Sequence, residues 1–530
     1  MIIAYFLLKE KPYNRKHPPT QGNTVTIFLI DGLSKSIFKK QLAAGKLPNL
    51  QKLIEKSTYI EHGIGAFPSM TGYAFYPFLT GVDATKSGIL GLRWFDRSRD
   101  AGNLRHYVGR TNIQMNKDIH PTPKTLFEKY DAYYTASINT YMNRGVHHAE
   151  MTGWAHTTSK YQQQSVFKGL RQIPFMGETL SKDHFQHETL VMDKTLQQLA
   201  KNPKVQWVTF PSPDASNHVL GTTAEYYQLL THIDSLIGVF IAEVSRLGQA
   251  DSRMIAVVTD HGISDVSKNL DISAELKKRF GIDLIRGEAT HLYTDKLTEK
   301  LTDFIDKQGY FVINGNLSAY IYLRDTGKKP TPPYWRNRQT FETLEQYPCT
   351  VLGKKTTIHL PQTLAAMEGV ELVACKKNDS TVTVFSAKGR GDIVFNTQFG
   401  YKYKVINEDP LTYAKDSVLS KMMQTDYFSA HQWLEASLNT PYPDAIFRLY
   451  QLMLAEKVGD LLITSKTGYD LAADYEIFVK NYKGGHGGLR GELLDVPYIL
   501  YNPKASGKRV PYMRAEEVGL EIFKYMEGRE

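Results

Sequence analysis

The chain has 530 residues, 42% of them hydrophobic and 22% charged, with 2 cysteines and a formal net charge of +9 at pH 7. This is the composition of a globular protein able to bury a large core, and it excludes a disordered, fibrous or disulfide-stapled chain. The positive balance would attract an anionic ligand or surface, although a solvated basic exterior is the plainer account. No dense Lys/Arg run with interleaved aromatics is present, which argues against specific nucleic-acid binding.

The opening MIIAYFLL is apolar for eight residues, short of the roughly 20 needed to span a bilayer. Neither a basic segment before it nor a small-residue cleavage site after it marks a secretory signal. Residues 1–22 read as a lead-in, and the chain as one without a transmembrane span, cytoplasmic by default.

Val25–Ile30 (VTIFLI) is a continuous apolar run that ends at Asp31-Gly32, the pattern of a strand covered on both faces of a parallel sheet. Next comes AFPSMTGYAFYPFLTG, Ala66–Gly81, with three hydroxyls (Ser69, Thr71, Thr80) and no acid, base or histidine beside them. Further buried-strand runs are VQWVTF (Val205–Phe210), MIAVVT (Met254–Thr259), LLIT (Leu461–Thr464) and VPYILY (Val496–Tyr501). Between the second and third of the five runs, Tyr226, Leu230, Ile233, Ile237, Ile241 and Val244 recur at helical spacing. Thr222 and Glu225 form a T-x-x-E capping pattern ahead of that helix, and Gly248 stands at its C-terminal cap. Strands alternating with helices predict an α/β fold on a mainly parallel central sheet.

From about residue 300 to 420 the pattern changes to short alternating segments such as AYIYLRD, STVTVFSAKG and YKYKVI, expected of an antiparallel, β-rich cap. Helical patterning returns around Leu411–Leu438 and Asp444–Val458. The expected division is a lead-in over 1–22, a catalytic α/β core over 23–300, an inserted β-rich cap over 301–420 and the rest of the core over 421–530. Cys349 and Cys375 lack CxxC spacing and read as structural thiols, and spacing alone does not decide whether they pair.

Three of the buried runs lead into acids: Asp31, Asp214 (through PSP) and Asp260. Ligands of open parallel sheets bind at the carboxyl ends of the strands, so these carboxylates are candidates for one site. A single Asp after a strand is usually a turn former. Here Asp214 precedes His218 by four residues, Asp260 is followed by His261, and His486 sits in KGGHGGLRG. Carboxylates with imidazoles form a donor set for zinc.

The order Asp31-Gly32, FPSMT, PDASNH, TDHG, GGHGG resembles the alkaline phosphatase superfamily, and within it the type I phosphodiesterase/nucleotide pyrophosphatase branch. The resemblance implies an alkaline phosphatase-like fold and two Zn2+ ions, with other divalent ions as substitutes. It implies that Asp31, Thr71, Asp260 and His261 hold one ion, and that Asp214, His218 and His486 hold the other. It further implies Thr71 as the nucleophile, a phosphothreonine intermediate, and a small anionic phosphate ester as substrate. A lone threonine hydroxyl is a weak nucleophile without a base, and metal coordination would supply the activation.

Two departures bear on the substrate. Gly72-Tyr73-Ala74-Phe75 stands where the branch has Pro-Asn-His, and Leu92 stands where an Asn amide would contact a phosphoryl oxygen. Arg93, Arg110 and Asn112 are the nearby polar alternatives, with Arg93 and Asn112 as candidate substrate contacts. The aromatics Tyr73, Phe75, Tyr76, Trp94 and Phe95 read as core, or as a platform for a planar leaving group. The expectation is a two-zinc phosphodiesterase or nucleotide pyrophosphatase, with a phosphomonoesterase or phosphotransferase as the alternative at the same site. An inactive binding or scaffold protein of the same fold is the alternative of a different class. The resemblance also allows a periplasmic or extracellular setting.

Overall fold

The computed structural model describes residues 17–97, 103–107, 114–152, 183–286, 307–324, 337–471 and 482–529. Its central sheet has eight strands in the spatial order Lys508–Arg514, Thr58–Ile64, Asp495–Tyr501, Arg253–Val258, Thr24–Ile30, Val205–Phe210, Thr135–Ile138 and His148–Glu150. The middle strands carry the apolar runs because both faces are covered: every residue of Thr24–Ile30, Val205–Phe210 and Arg253–Val258 is buried. Seven of the eight strands point the same way. The exception is Asp495–Tyr501, which runs antiparallel to both of its neighbours. This is the mainly parallel α/β architecture expected from the chain's alternating pattern.

One face of the sheet is covered by helices that include His184–Leu199 and Ala224–Arg246. Their apolar stripes pack with Phe28, Ile30, Val208 and Val257 in one core cluster. The second of these helices matches the predicted span, and Gly248 closes it in the left-handed region at φ 67°. Its expected capping box does not form. Thr222 instead donates to Asp265 Oδ1 at 2.9 Å, and Glu225 faces His184 Nδ1 at 3.3 Å. The local pattern was compatible with a cap, but tertiary partners took both side chains.

A second eight-stranded sheet runs in the order Leu284–Arg286, Gly309–Asn314, Ser318–Leu323, Leu461–Ser465, Val370–Asn378, Thr381–Phe385, Arg390–Asn396 and Gly400–Val405. Apart from its first pair it is antiparallel. The LLIT run thus belongs here, between Ser318–Leu323 and Val370–Asn378, and not in the central sheet. An unbroken apolar run reports cover on both faces and does not name the neighbouring strands. Cys349 and Cys375 are buried free thiols. Among the described residues no helix is long and apolar enough to cross a membrane.

Candidate active site

The direction of the strands decides where the polar residues go. Asp31 follows Thr24–Ile30, Asp260 follows Arg253–Val258, and Thr71 lies in the loop after Thr58–Ile64. All three strands are parallel, so these residues emerge at the same sheet edge. Val205–Phe210 leads into the helix Ser212–Leu220, where Asp214 and His218 sit four residues apart and share a face. The antiparallel strand Asp495–Tyr501 begins at that edge, so the glycine loop before it brings His486 to the site its neighbours reach at their ends. Gly32, at φ 72°, lets the chain turn away from the strand directly beside Asp214.

All seven residues singled out from the sequence lie together. Thr71 Oγ1 is 3.4 Å from Asp31 Oδ1 and 3.1 Å from His261 Nε2. The same His261 nitrogen is 3.3 Å from Asp31 Oδ1 and 3.5 Å from Asp260 Oδ2. Asp214 receives His218 Nε2 at 3.3 Å on one oxygen and faces His486 Nε2 at 3.7 Å with the other. The His261 and His486 rings stack with centroids 3.6 Å apart and planes 8° from parallel.

Each imidazole is oriented through its other nitrogen. His486 Nδ1 meets the Ser69 carbonyl at 2.8 Å, His218 Nδ1 the Gly484 carbonyl at 2.9 Å, and His261 Nδ1 the Gly262 carbonyl at 3.0 Å. A carbonyl only accepts, so Nδ1 carries a proton on each ring and every Nε2 is turned to the carboxylates. That is the outer-shell arrangement of a metal-binding histidine.

The charges are unbalanced as they stand. Burial raises the pKa of Asp31, reinforced by the facing Asp260 and Asp214. Burial, with Asp214, pushes Asp260 up to about 8. Burial also opposes ionisation of Asp214, but His218 and His486 outweigh it and hold that carboxyl below its usual range. His218 is resisted by burial yet raised to about 9 by Asp214. Burial lowers His261 to about 4 and, with His261 beside it, lowers His486 as well. Among the described residues, Asp214 Oδ1 and Asp260 Oδ2 are buried without a hydrogen-bond partner, a costly state for a carboxylate oxygen.

Such a set fits cations. Donor atoms of Asp31, Asp260 and His261 lie within 4.8 Å of one another, as do those of Asp214, His261 and His486. Hard oxygens with imidazole nitrogens suit a divalent ion, and positive charge would satisfy the two orphaned oxygens.

Ser69, one of the three hydroxyls of Ala66–Gly81, is a clamp. Its hydroxyl donates to the Gly488 carbonyl at 2.9 Å and accepts from Gly487 N–H at 3.0 Å. It joins the threonine loop to the histidine loop 417 residues downstream, a separation no local signal reveals. Thr80 Oγ1 donates to the Tyr76 carbonyl inside the helix Tyr76–Thr80. Leu92 is partly exposed. Arg93 is buried, with Nε donating to His106 Nε2 at 3.0 Å. Asn112 and Arg110 lie outside the described residues. Tyr73, Phe75, Tyr76, Trp94 and Phe95 are all at most 1% exposed, so they are core and offer no stacking surface.

A parallel-sheet edge with paired acid and histidine clusters on an alkaline phosphatase-like α/β fold is the architecture of this protein. The chain belongs to the type I phosphodiesterase/nucleotide pyrophosphatase family, whose model matches residues 25–323. Among solved structures it is similar to human ectonucleotide pyrophosphatase/phosphodiesterase 5, at 11% identity and a TM-score of 0.50 over 95% of each chain. The murine counterpart matches at 11% identity and TM-score 0.49, with 95% of each chain covered. An inactive variant of the murine protein in complex with AMP matches at 10% identity and TM-score 0.49, over 96% of this chain and 95% of that one. At 11% identity the likeness to the human protein speaks for the fold alone. No curated protein matches in sequence.

Proposed function

We propose that the protein is a two-metal phosphoryl hydrolase that cleaves phosphodiesters or nucleotide pyrophosphates, with Thr71 as nucleophile. One observation carries the reading: the Thr71 hydroxyl stands 3.4 Å from Asp31 Oδ1 and 3.1 Å from His261 Nε2, between two acid/histidine clusters. Asp31, Asp260 and His261, with Thr71, are assigned to one ion, and Asp214, His218 and His486 to the other. The donor types favour zinc. Bound ions would lower the pKa of the threonine hydroxyl and neutralise charge on the phosphoryl oxygens.

The protein's own groups do the rest. Burial of Asp31 and Asp260 keeps water from competing for their oxygens. The Ser69 clamp holds the threonine loop against the histidine loop, so the nucleophile is positioned before substrate arrives. Attack of Thr71 Oγ1 at phosphorus forms a phosphothreonine and expels the first alcohol or nucleotide. Water then opens that ester at phosphorus, giving net retention.

The test pairs metal analysis with turnover of a bis-aryl phosphodiester and the matching monoester. Purified protein is expected to carry divalent metal, to prefer the diester and to lose activity in EDTA. Thr71→Ala is expected to keep the metal and lose turnover by at least about 10³-fold, as removal of a nucleophile does. A protein with no divalent ion would be a binding or scaffold relative, and an active Thr71→Ala variant would move the nucleophile elsewhere.

A further inference from the structure

As ionised ligands to bound cations Asp31, Asp214 and Asp260 would only accept hydrogen bonds, and each site histidine has its Nδ1 engaged by a backbone carbonyl. Leu92, partly exposed, offers no side-chain donor. A phosphoryl group that gains negative charge during attack calls for a donor aimed at its non-bridging oxygens. A fifth parallel strand leads to this edge. Thr135–Ile138 pairs with Val205–Phe210 in the same direction, so the residues just after it reach the same edge as Asp31, Asp214 and Asp260.

Tyr141 is among them. Its ring flanks Gly72, the neighbour of Thr71: a β-carbon built at Gly72 would lie 3.4 Å from Tyr141 Cδ2. The ring also stacks on Phe75 at 6.2 Å between centroids. The turn that carries it is pinned by Asn116, whose Nδ2 donates to the Tyr141 carbonyl at 2.9 Å while its Oδ1 accepts from Asn143 and Arg144 N–H. Tyr141 is half-buried, and among the described residues none hydrogen-bonds its hydroxyl. Its pKa is raised by burial, and then by Asp31, Asp214 and Asp260. A phenol hydroxyl is protonated and able to donate at neutral pH, and burial favours that form.

We infer that Tyr141 is a substrate-contacting residue whose hydroxyl donates a hydrogen bond to a non-bridging phosphoryl oxygen during attack by Thr71. The inference rests on the hydrolase reading above and adds the donor that reading lacks. The contact strengthens as charge builds, so it acts on kcat more than on KM. It involves no proton transfer to the leaving group.

Tyr141→Phe keeps the ring, its stacking on Phe75 and its packing at Gly72. With a bis-aryl phosphodiester, kcat/KM is expected to fall on the order of 10²-fold, the cost of losing one such donor. The loss should lie mainly in kcat, with metal content and thermal unfolding unchanged. A series of phenols of graded acidity as leaving groups should show the same dependence of rate on leaving-group pKa in both proteins. Equal activity of wild type and Tyr141→Phe removes this proposal and leaves the hydrolase reading intact. A variant whose deficit grows with poorer leaving groups overturns the phosphoryl-oxygen assignment, because the hydroxyl would then serve the departing oxygen. A metal-loaded wild type that turns over no phosphodiester removes the hydrolase reading and this proposal with it.

Discussion

Ser69 shows how much one hydroxyl contributes at the residue scale. It is fully buried, and both its lone-pair and proton directions are spent on the backbone of Gly487 and Gly488, while its own carbonyl fixes the tautomer of His486. Ser69→Ala would leave a buried N–H and a buried carbonyl without partners, each worth about 1–3 kcal/mol. The expected outcome is a lower unfolding midpoint in urea and a weaker metal affinity, since loss of an outer-shell support typically costs about 10–100-fold. Denaturation with and without added zinc, and metal titration by competition with a chelator, would read the two effects separately. A Ser69→Ala variant with wild-type metal affinity would show that the His486 loop is held by other contacts.

The element that carries Asp214 and His218 has its own support. The helix Ser212–Leu220 receives a buried carboxylate at its first turn, where Ser212 N–H donates to Glu188 Oε1 at 2.7 Å. Glu188 projects from the neighbouring helix His184–Leu199. Negative charge is favourable at a helix N-terminus, yet burial dominates and lifts Glu188 from 4.5 to about 8, with the Ser212 hydrogen bonds opposing the shift. The sign follows from linkage. Between pH 4.5 and about 8 the folded state holds a proton that the unfolded state has released, so this group's contribution to stability is greatest at low pH and is lost as pH rises through that window. Glu188→Gln keeps an acceptor for Ser212 and cannot ionise. Its stability relative to wild type should therefore rise from pH 5 to pH 8, each pKa unit being worth about 1.4 kcal/mol. Urea midpoints at several pH values would measure this, and a pH-independent difference would show that Glu188 ionises normally.

The same scale shows what was legible in the sequence and what was not. Runs such as VTIFLI and MIAVVT announce strands covered on both faces because continuous apolar side chains have no solvent-facing position. The acids that follow them are then placed at a strand end by chain order alone. VPYILY carries the same signal, but its reversed direction is invisible, because side-chain composition is the same for either polarity. The strand Thr135–Ile138 was missed. TASI is short and half-polar, and its burial comes from pairing with Val205–Phe210. With it went any view of Tyr141.

At the scale of the whole molecule the two sheets are joined through buried side-chain ion pairs. Helix Ala445–Leu454 packs against the second sheet and helix Ala515–Met526 against the central one. Arg448 from the first of these reaches Asp83 Oδ2 at 2.6 Å, Glu516 Oε1 at 3.2 Å and Asp444 Oδ2 at 3.2 Å. Arg514 completes the cluster with Asp444 at 2.7 Å. Three carboxylates facing Arg448 raise its pKa despite burial, so the charge is permanent. Arg448→Met would strand those acids in the interior, and removing one partner of such a network costs about 3–5 kcal/mol. Denaturant unfolding should show that loss, with a partial recovery when Glu516→Gln is added to the variant. An Arg448→Met protein as stable as wild type would mean that Arg514 alone compensates the cluster.

By itself, the sequence determined which side chains are able to carry the chemistry. Strand-end acids, histidines at short spacing and a hydroxyl among glycines are chemical facts of the chain. Only the tertiary structure decided that His486 meets Thr71's loop through Ser69, that LLIT belongs to the second sheet, and that Tyr141 stands beside Gly72, next to Thr71. The reason is physical. A side-chain pattern records how deeply a segment is buried, whereas direction, neighbours and contacts hundreds of residues apart are fixed by backbone pairing, to which the pattern is indifferent.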